Sequence, residues 1–123
     1  MFNNCNSLVN APKLPATALA DGCYYSMFNN CTSLTFAPAL PVTTLASDCY
    51  YNMFNNCTSL VNAPKLPATA LADGCYAFMF FGCTKILELH YPASIESNST
   101  FTSMSGSPKF GATIDDRKIF YDL

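Results

Sequence analysis

A chain of 123 residues, half of them hydrophobic and only 11% charged, can bury a core of its own without metal or cross-links. Its net charge of −2 leaves no electrostatic surplus for the phosphates of nucleic acid or for an anionic lipid surface, so neither is an expected partner. No apolar run approaches the roughly 18 to 20 residues of a membrane helix, and residues 1–9 carry no basic flank of a signal peptide, so no membrane span and no leader are expected in this chain. Met1 coincides with the methionine that opens every later repeat, which reads as a chain starting inside a longer protein.

In chain order the sequence falls into rows of 26: residues 1–26, 27–52 and 53–78, each opening on Met-Phe-Asn-Asn-Cys, then a degenerate row 79–97 opening on Met-Phe-Phe-Gly-Cys. The first and third rows differ from Met to Tyr only at Asn6 and Thr58. A fixed period with so little drift predicts a solenoid, in which each row is one coil and neighbours bury each other's apolar faces.

Within a row, Asp21, Ser47 and Asp73 are suited to cap a helix N-terminus, and Asn30, Asn56 and Gly82 tolerate the left-handed conformation of a C-terminal stop. The predicted element between them is a two-turn helix, too short to stand without burial. Its inward face carries Cys23, Met27 and Cys31 at i, i+4 spacing, with Phe28 beside them. A short parallel strand follows, with Leu34, Ala37 and Leu40 as its inward column. Pro12, Pro38 and Pro64 each forfeit a ladder bond there, and Pro15, Pro41 and Pro67 fix the corner that follows. The fourth row loses one residue before Pro92.

Beyond the rows, the Ser-rich, Gly- and Pro-containing stretch 97–111 reads as loop, and residues 112–123 as two short strands around an Asp115-Asp116-Arg117 turn. That hairpin, within a segment 98–123, is the expected cap of the last coil. The charged triplet reads as a solvated turn rather than as an acidic catalytic cluster.

The phrase Phe-Asn-Asn-Cys-Thr-Ser-Leu, followed by Leu-Pro-Ala-Thr-Ala-Leu-Ala, resembles the BspA-like leucine-rich repeats of bacterial surface proteins over residues 1–97. The row here is longer, has Met-Phe where Ala-Phe is common, and carries a proline in the strand. The resemblance implies a leucine-rich-repeat-like solenoid with a parallel sheet on one side, displayed on the cell surface or secreted. It further implies adhesion or host contact, with a host extracellular-matrix protein or glycan as partner. The family has no catalytic motif, so the resemblance transfers no active site and no cofactor. A structural stalk or spacer with no ligand of its own is the alternative.

Seven cysteines form two columns, Cys5, Cys31, Cys57, Cys83 and Cys23, Cys49, Cys75. An odd count in a strict period favours buried free thiols over a disulfide framework. Cys23 and Cys31 on one straight helix would lie about 12 Å apart, beyond a disulfide's reach, whereas vertical neighbours such as Cys31 and Cys57 remain within it. Zinc is not expected, since no C-x-x-C pair exists and the single histidine, His90, lies outside the columns. A catalytic cysteine would need a base, and none repeats with it.

The sheet-side columns Asn10, Phe36, Asn62, Glu88 and Lys13, Ala39, Lys65, Tyr91 are expected to face solvent, which makes Asn10, Phe36, Asn62, Glu88, Lys13, Lys65 and Tyr91 the candidate partner-binding face. Phe36 alone breaks its column with a large apolar group. Tyr25 and Tyr51 could form a second stripe, with Tyr24, Tyr50 and Tyr76 packed in the wall. The sequons at Asn30, Asn56 and Asn98 read as by-products of structural asparagines, and the Thr17, Thr43, Thr69 column is weak support for an ice-binding face. The uncapped first coil is expected to self-associate head to head through residues 1–12, or to lack order.

Overall fold

The computed structural model describes residues 2–14, 18–104, 110–112 and 118–123. Pro15, Thr17 and the Asp115-Asp116-Arg117 turn fall outside them. The elements are β1 (Leu89–His90), a 3-10 helix (Ala93–Ser97), α1 (Ser99–Ser103) and β2 (Ile119–Phe120).

The segments expected to be helical, between Asp21 and Asn30, Ser47 and Asn56, and Asp73 and Gly82, are runs of consecutive turns. Their amides alternate. Cys49, Tyr51, Met53, Asn55 and Cys57 each donate three residues back, to Ala46, Asp48, Tyr50, Asn52 and Phe54. The residues between them, Asp48, Tyr50, Asn52, Phe54 and Asn56, donate instead to Asp73, Cys75, Ala77, Met79 and Phe81 in the next row at 2.7–3.0 Å. A helix would spend every amide within the row. Here every second one ties two rows together.

The backbone device is a left-handed residue at every fourth position. Gly22, Ser26 and Asn30, then Asp48, Asn52 and Asn56, then Gly74, Phe78 and Gly82 all have φ between 51° and 79°. Gly, Asn and Asp tolerate that region; helix propagation does not. The expected cap Asp21 serves the stack as well, its Oδ1 accepting from the N–H of Ser47 one row on.

Row-on-row registry carries the side chains with it. Phe2, Phe28, Phe54 and Phe80 stack with ring centroids 5.5, 5.5 and 5.9 Å apart and planes within 5° of parallel. Tyr24, Tyr50 and Tyr76 form a second pile at 6.0 Å spacing. At those separations near-parallel rings must be offset rather than eclipsed, the arrangement their quadrupoles favour. Each buried ring adds about 1.5–3 kcal/mol of apolar burial.

The strand of each row is shorter than expected. Parallel bridges join Asn10 to Phe36 and Phe36 to Asn62, and among the described residues only the fourth row supplies a strand, β1, which pairs in parallel with β2. Two residues after each bridge stands Pro12, Pro38 or Pro64, which has no N–H to continue the ladder. Ile119–Phe120, expected as one strand of a hairpin whose turn lies outside the described residues, extends the row stack, and Asp122 closes it with an antiparallel bridge to Pro92.

The rest of the tail covers the end of the stack. Phe101, Met104, Phe110, Ala112 and Ile119 are buried in the same cluster as the rows. Phe110 accepts from the N–H of Phe80, as the methionine of a further row would, and the N–H of Tyr76 reaches the Met104 sulfur. Residues 99–103, read from sequence as loop, form α1 because Asn98 caps it, its side chain accepting from Thr100 N–H at 2.8 Å.

Candidate functional site

The expected binding face divides into what the structure keeps exposed and what it buries. Asn10, Phe36 and Asn62 lie in one bridged line, all solvent-facing, with Phe36 52% exposed between two polar neighbours. Lys13, Lys65 and Glu88 are also exposed. Val9 and Leu87, from the adjoining column, add exposed apolar surface beside that line.

Tyr91 is a correction. It is fully buried, packed on Phe101 and Phe110, with its hydroxyl donating to Glu96 at 2.8 Å. The residue missing before Pro92 explains the shift. Leu66 N–H donates to His90 C=O, so the fourth row has slipped by one: Tyr91 enters the inward Leu66 column and His90 takes the outward place below Lys65. Burial first, and then the Glu96 carboxylate, push the Tyr91 phenol upward, so it stays protonated and donating.

His90 is the residue that sequence reading set aside. Its Nε2 lies 3.0 Å from Glu88 Oε1, its Nδ1 lies 2.9 and 3.1 Å from the two Asp122 oxygens, and its ring stacks on Phe120 at 4.9 Å. Partial burial pulls the imidazole down, but hydrogen bonds to Glu88 and Asp122 outweigh it and hold the pKa above its ordinary value. Asp122 is correspondingly lowered, chiefly by His90, with Lys65 a smaller contributor. The group is a clasp between β1 and Asp122, two residues beyond β2. A shallow cleft of about 380 Å³ adjoins it, lined by Ala39, Leu40, Pro41, Lys65, Pro67 and Leu123, so one cation sits at the rim of an apolar surface.

On other sides of the molecule lie the tyrosines and the thiols. Tyr25 stacks on Tyr51 at 4.9 Å, and Tyr51 meets Phe78, which meets Phe81 edge-on. Gly111 lies against Phe81, where an added Cβ would come within 3.0 Å of its backbone, so Phe81 departs from the Asn of the other rows where the tail docks. All seven cysteines are free, with Cys23 exposed, Cys5 half-buried and five buried. Cys31, Cys57 and Cys83 donate Sγ–H to Phe2, Phe28 and Phe54 C=O at 2.9, 3.1 and 2.9 Å. Burial pushes the Cys49 thiol up to about 11 and the Cys75 and Cys83 thiols up to about 12, which keeps them neutral and poorly nucleophilic.

Among the described residues, no group of three or more His, Cys, Asp or Glu is placed to hold a metal ion, and no helix is long and apolar enough to cross a membrane. No family model, curated protein or solved structure matches the chain.

Proposed function

We propose that this chain is a non-enzymatic, leucine-rich-repeat-like solenoid segment of an exported bacterial surface protein, and that it binds a partner through the face around Phe36. The single observation that carries the reading is Phe36: 52% exposed, in the middle of a bridged line whose other members are asparagines. An aromatic group held on a rigid row loses little entropy on binding, so it suits an anchor for a protein or glycan surface. Exposed Val9 and Leu87 and the cleft beside Lys65 widen that surface. The non-enzymatic part rests on Cys31, Cys57 and Cys83, which are buried and occupied with row-to-row contacts.

The test is binding of the chain to a panel of extracellular-matrix proteins and glycans, with Phe36→Ala and, on a different side, Tyr25→Ala. Saturable binding weakened at least about tenfold by Phe36→Ala and unchanged by Tyr25→Ala is the expected result. Binding indifferent to Phe36 would move the site elsewhere. Silence across the panel would favour the spacer reading, for which one observation speaks: rows one and three are nearly identical, and identical coils offer little that is specific to recognise.

A further inference from the structure

The bonding between rows has a direction. In the turn runs the earlier row donates and the later row accepts: Gly22, Tyr24 and Ser26 N–H give to Ser47, Cys49 and Tyr51 C=O, and Asp48, Tyr50 and Asn52 N–H give to Asp73, Cys75 and Ala77 C=O. The equivalent carbonyls of the first run, Asp21, Cys23 and Tyr25, accept no hydrogen bond among the described residues. The next two residues of this kind, Met27 and Asn29, are already taken by Phe2 and Asn4 N–H. The open stretch is therefore a short step, bounded on one side by residues 2–5.

Side-chain cover stops at the same place. Cys23 is exposed where Cys49 and Cys75 are buried, and Tyr24 is half-buried where Tyr50 and Tyr76 are 2% and 1% exposed. One face of the Tyr24 ring packs on Tyr50, and no ring covers its other face among the described residues.

We propose that this step is a docking site for one more turn run of the same repeat class, laid parallel to the rows and donating three alternate backbone N–H groups to Asp21, Cys23 and Tyr25. Continuity with the established row interface specifies the occupant: a left-handed Gly, Asp or Asn at its first donor, a tyrosine at its second to cover Tyr24, and a Ser or Asn at its third. An acceptor-only edge cannot pair with itself, because two copies meeting head to head would set carbonyl against carbonyl. The far end of a second copy does not fit either. Of the three equivalent donors there, the central one, Tyr76 N–H, is already taken by the Met104 sulfur, and the tail covers that end, with Phe110 accepting from Phe80 N–H. At residues 21–25 the geometry therefore favours capture of a repeat-type segment over pairing of this step with itself.

The test joins a seven-residue segment, Ala-Ser-Asp-Ala-Tyr-Tyr-Asn, ahead of Met1 of the full chain. It copies residues 46–52 with alanine in place of the cysteine, so that only the chain's own thiols report. A second version carries proline at the three donor positions. Alkylation of Cys23, followed by mass spectrometry, is expected to slow at least about tenfold with the first extension and to stay at the unextended rate with the second. Sedimentation of the unextended chain at tens of micromolar is expected to show a single-chain mass. Equal Cys23 alkylation with both extensions would overturn the proposal, and so would a dimer of the unextended chain in which Cys23 is shielded.

Discussion

At residue scale, the repeated word Met-Phe-Asn-Asn-Cys is explained by what each side chain touches. From the second row on, the cysteine fills a buried position and also donates to a phenylalanine carbonyl 29 residues earlier. Cys57→Ala removes both the sulfur's volume and that bond, and is expected to cost about 1–2 kcal/mol in urea denaturation with an unchanged m-value. Exposed Cys23→Ala should stay within about 0.5 kcal/mol of the parent. Gly74 shows the second constraint: with φ at +67°, an added Cβ would lie 2.0 Å from Asp48 Oδ1 in the previous row. Gly74→Ala is therefore expected to cost more than the roughly 1–2 kcal/mol of a left-handed alanine alone. Adding Asp48→Gly should return the clash part, a coupling that a double-mutant cycle reads directly. The sequence alone identifies the cysteine columns as inward thiols, but their carbonyl partners become visible only once the rows are set in register.

At the scale of elements, the turn runs show where sequence reading stops. Asn30, Asn56 and Gly82 were legible as left-handed stops, yet the same residue chemistry recurs four and eight residues earlier, at Gly22, Ser26, Asp48, Asn52 and Gly74. That fourfold spacing is the sign of a turn run, and it is masked because the apolar residues between also recur at helical intervals. The position of His90 depended on a single deletion, whose effect on the fourth row is set by pairing with Leu66 rather than by local propensity. The clasp it forms makes a pH prediction. The raised His90 stabilises the folded state fully below its ordinary value of 6.5, and this is lost as pH rises through its folded value. The lowered Asp122 stabilises above its ordinary value of 3.8, and this is lost as pH falls through its folded value. Attachment of β2 to β1 is therefore expected to be firmest between about pH 4 and 6.5 and to loosen as pH rises beyond that window. Hydrogen exchange at Tyr91, whose N–H donates to Phe120, corrected for the base-catalysed intrinsic rate, should speed up across that upper limit in the parent. In His90→Gln it should be flat there. The same acceleration in His90→Gln would sever the link to the imidazole.

At the scale of the whole molecule, rows repeat every 26 residues, an even number that keeps each donor amide of a turn run opposite an acceptor carbonyl 25 residues further on. Excision of residues 27–52 should accordingly bring row one onto row three with every column aligned, giving a smaller cooperative unit. Excision of residues 27–51 leaves one surplus residue, turns the aromatic and cysteine columns outward, and is expected to abolish the cooperative thermal transition. What repeats builds the stack, and Phe36 departs from the repeat on an exposed line, where the proposed recognition is placed. The claim beneath all of this is that alternate amides cross between rows. NMR scalar couplings transmitted through hydrogen bonds measure it most directly. The account predicts couplings from Tyr24, Phe28 and Tyr50 amide nitrogens to the carbonyl carbons of Cys49, Met53 and Cys75. A coupling from Phe28 to the carbonyl carbon of Tyr24, four residues back as in a helix, would contradict it.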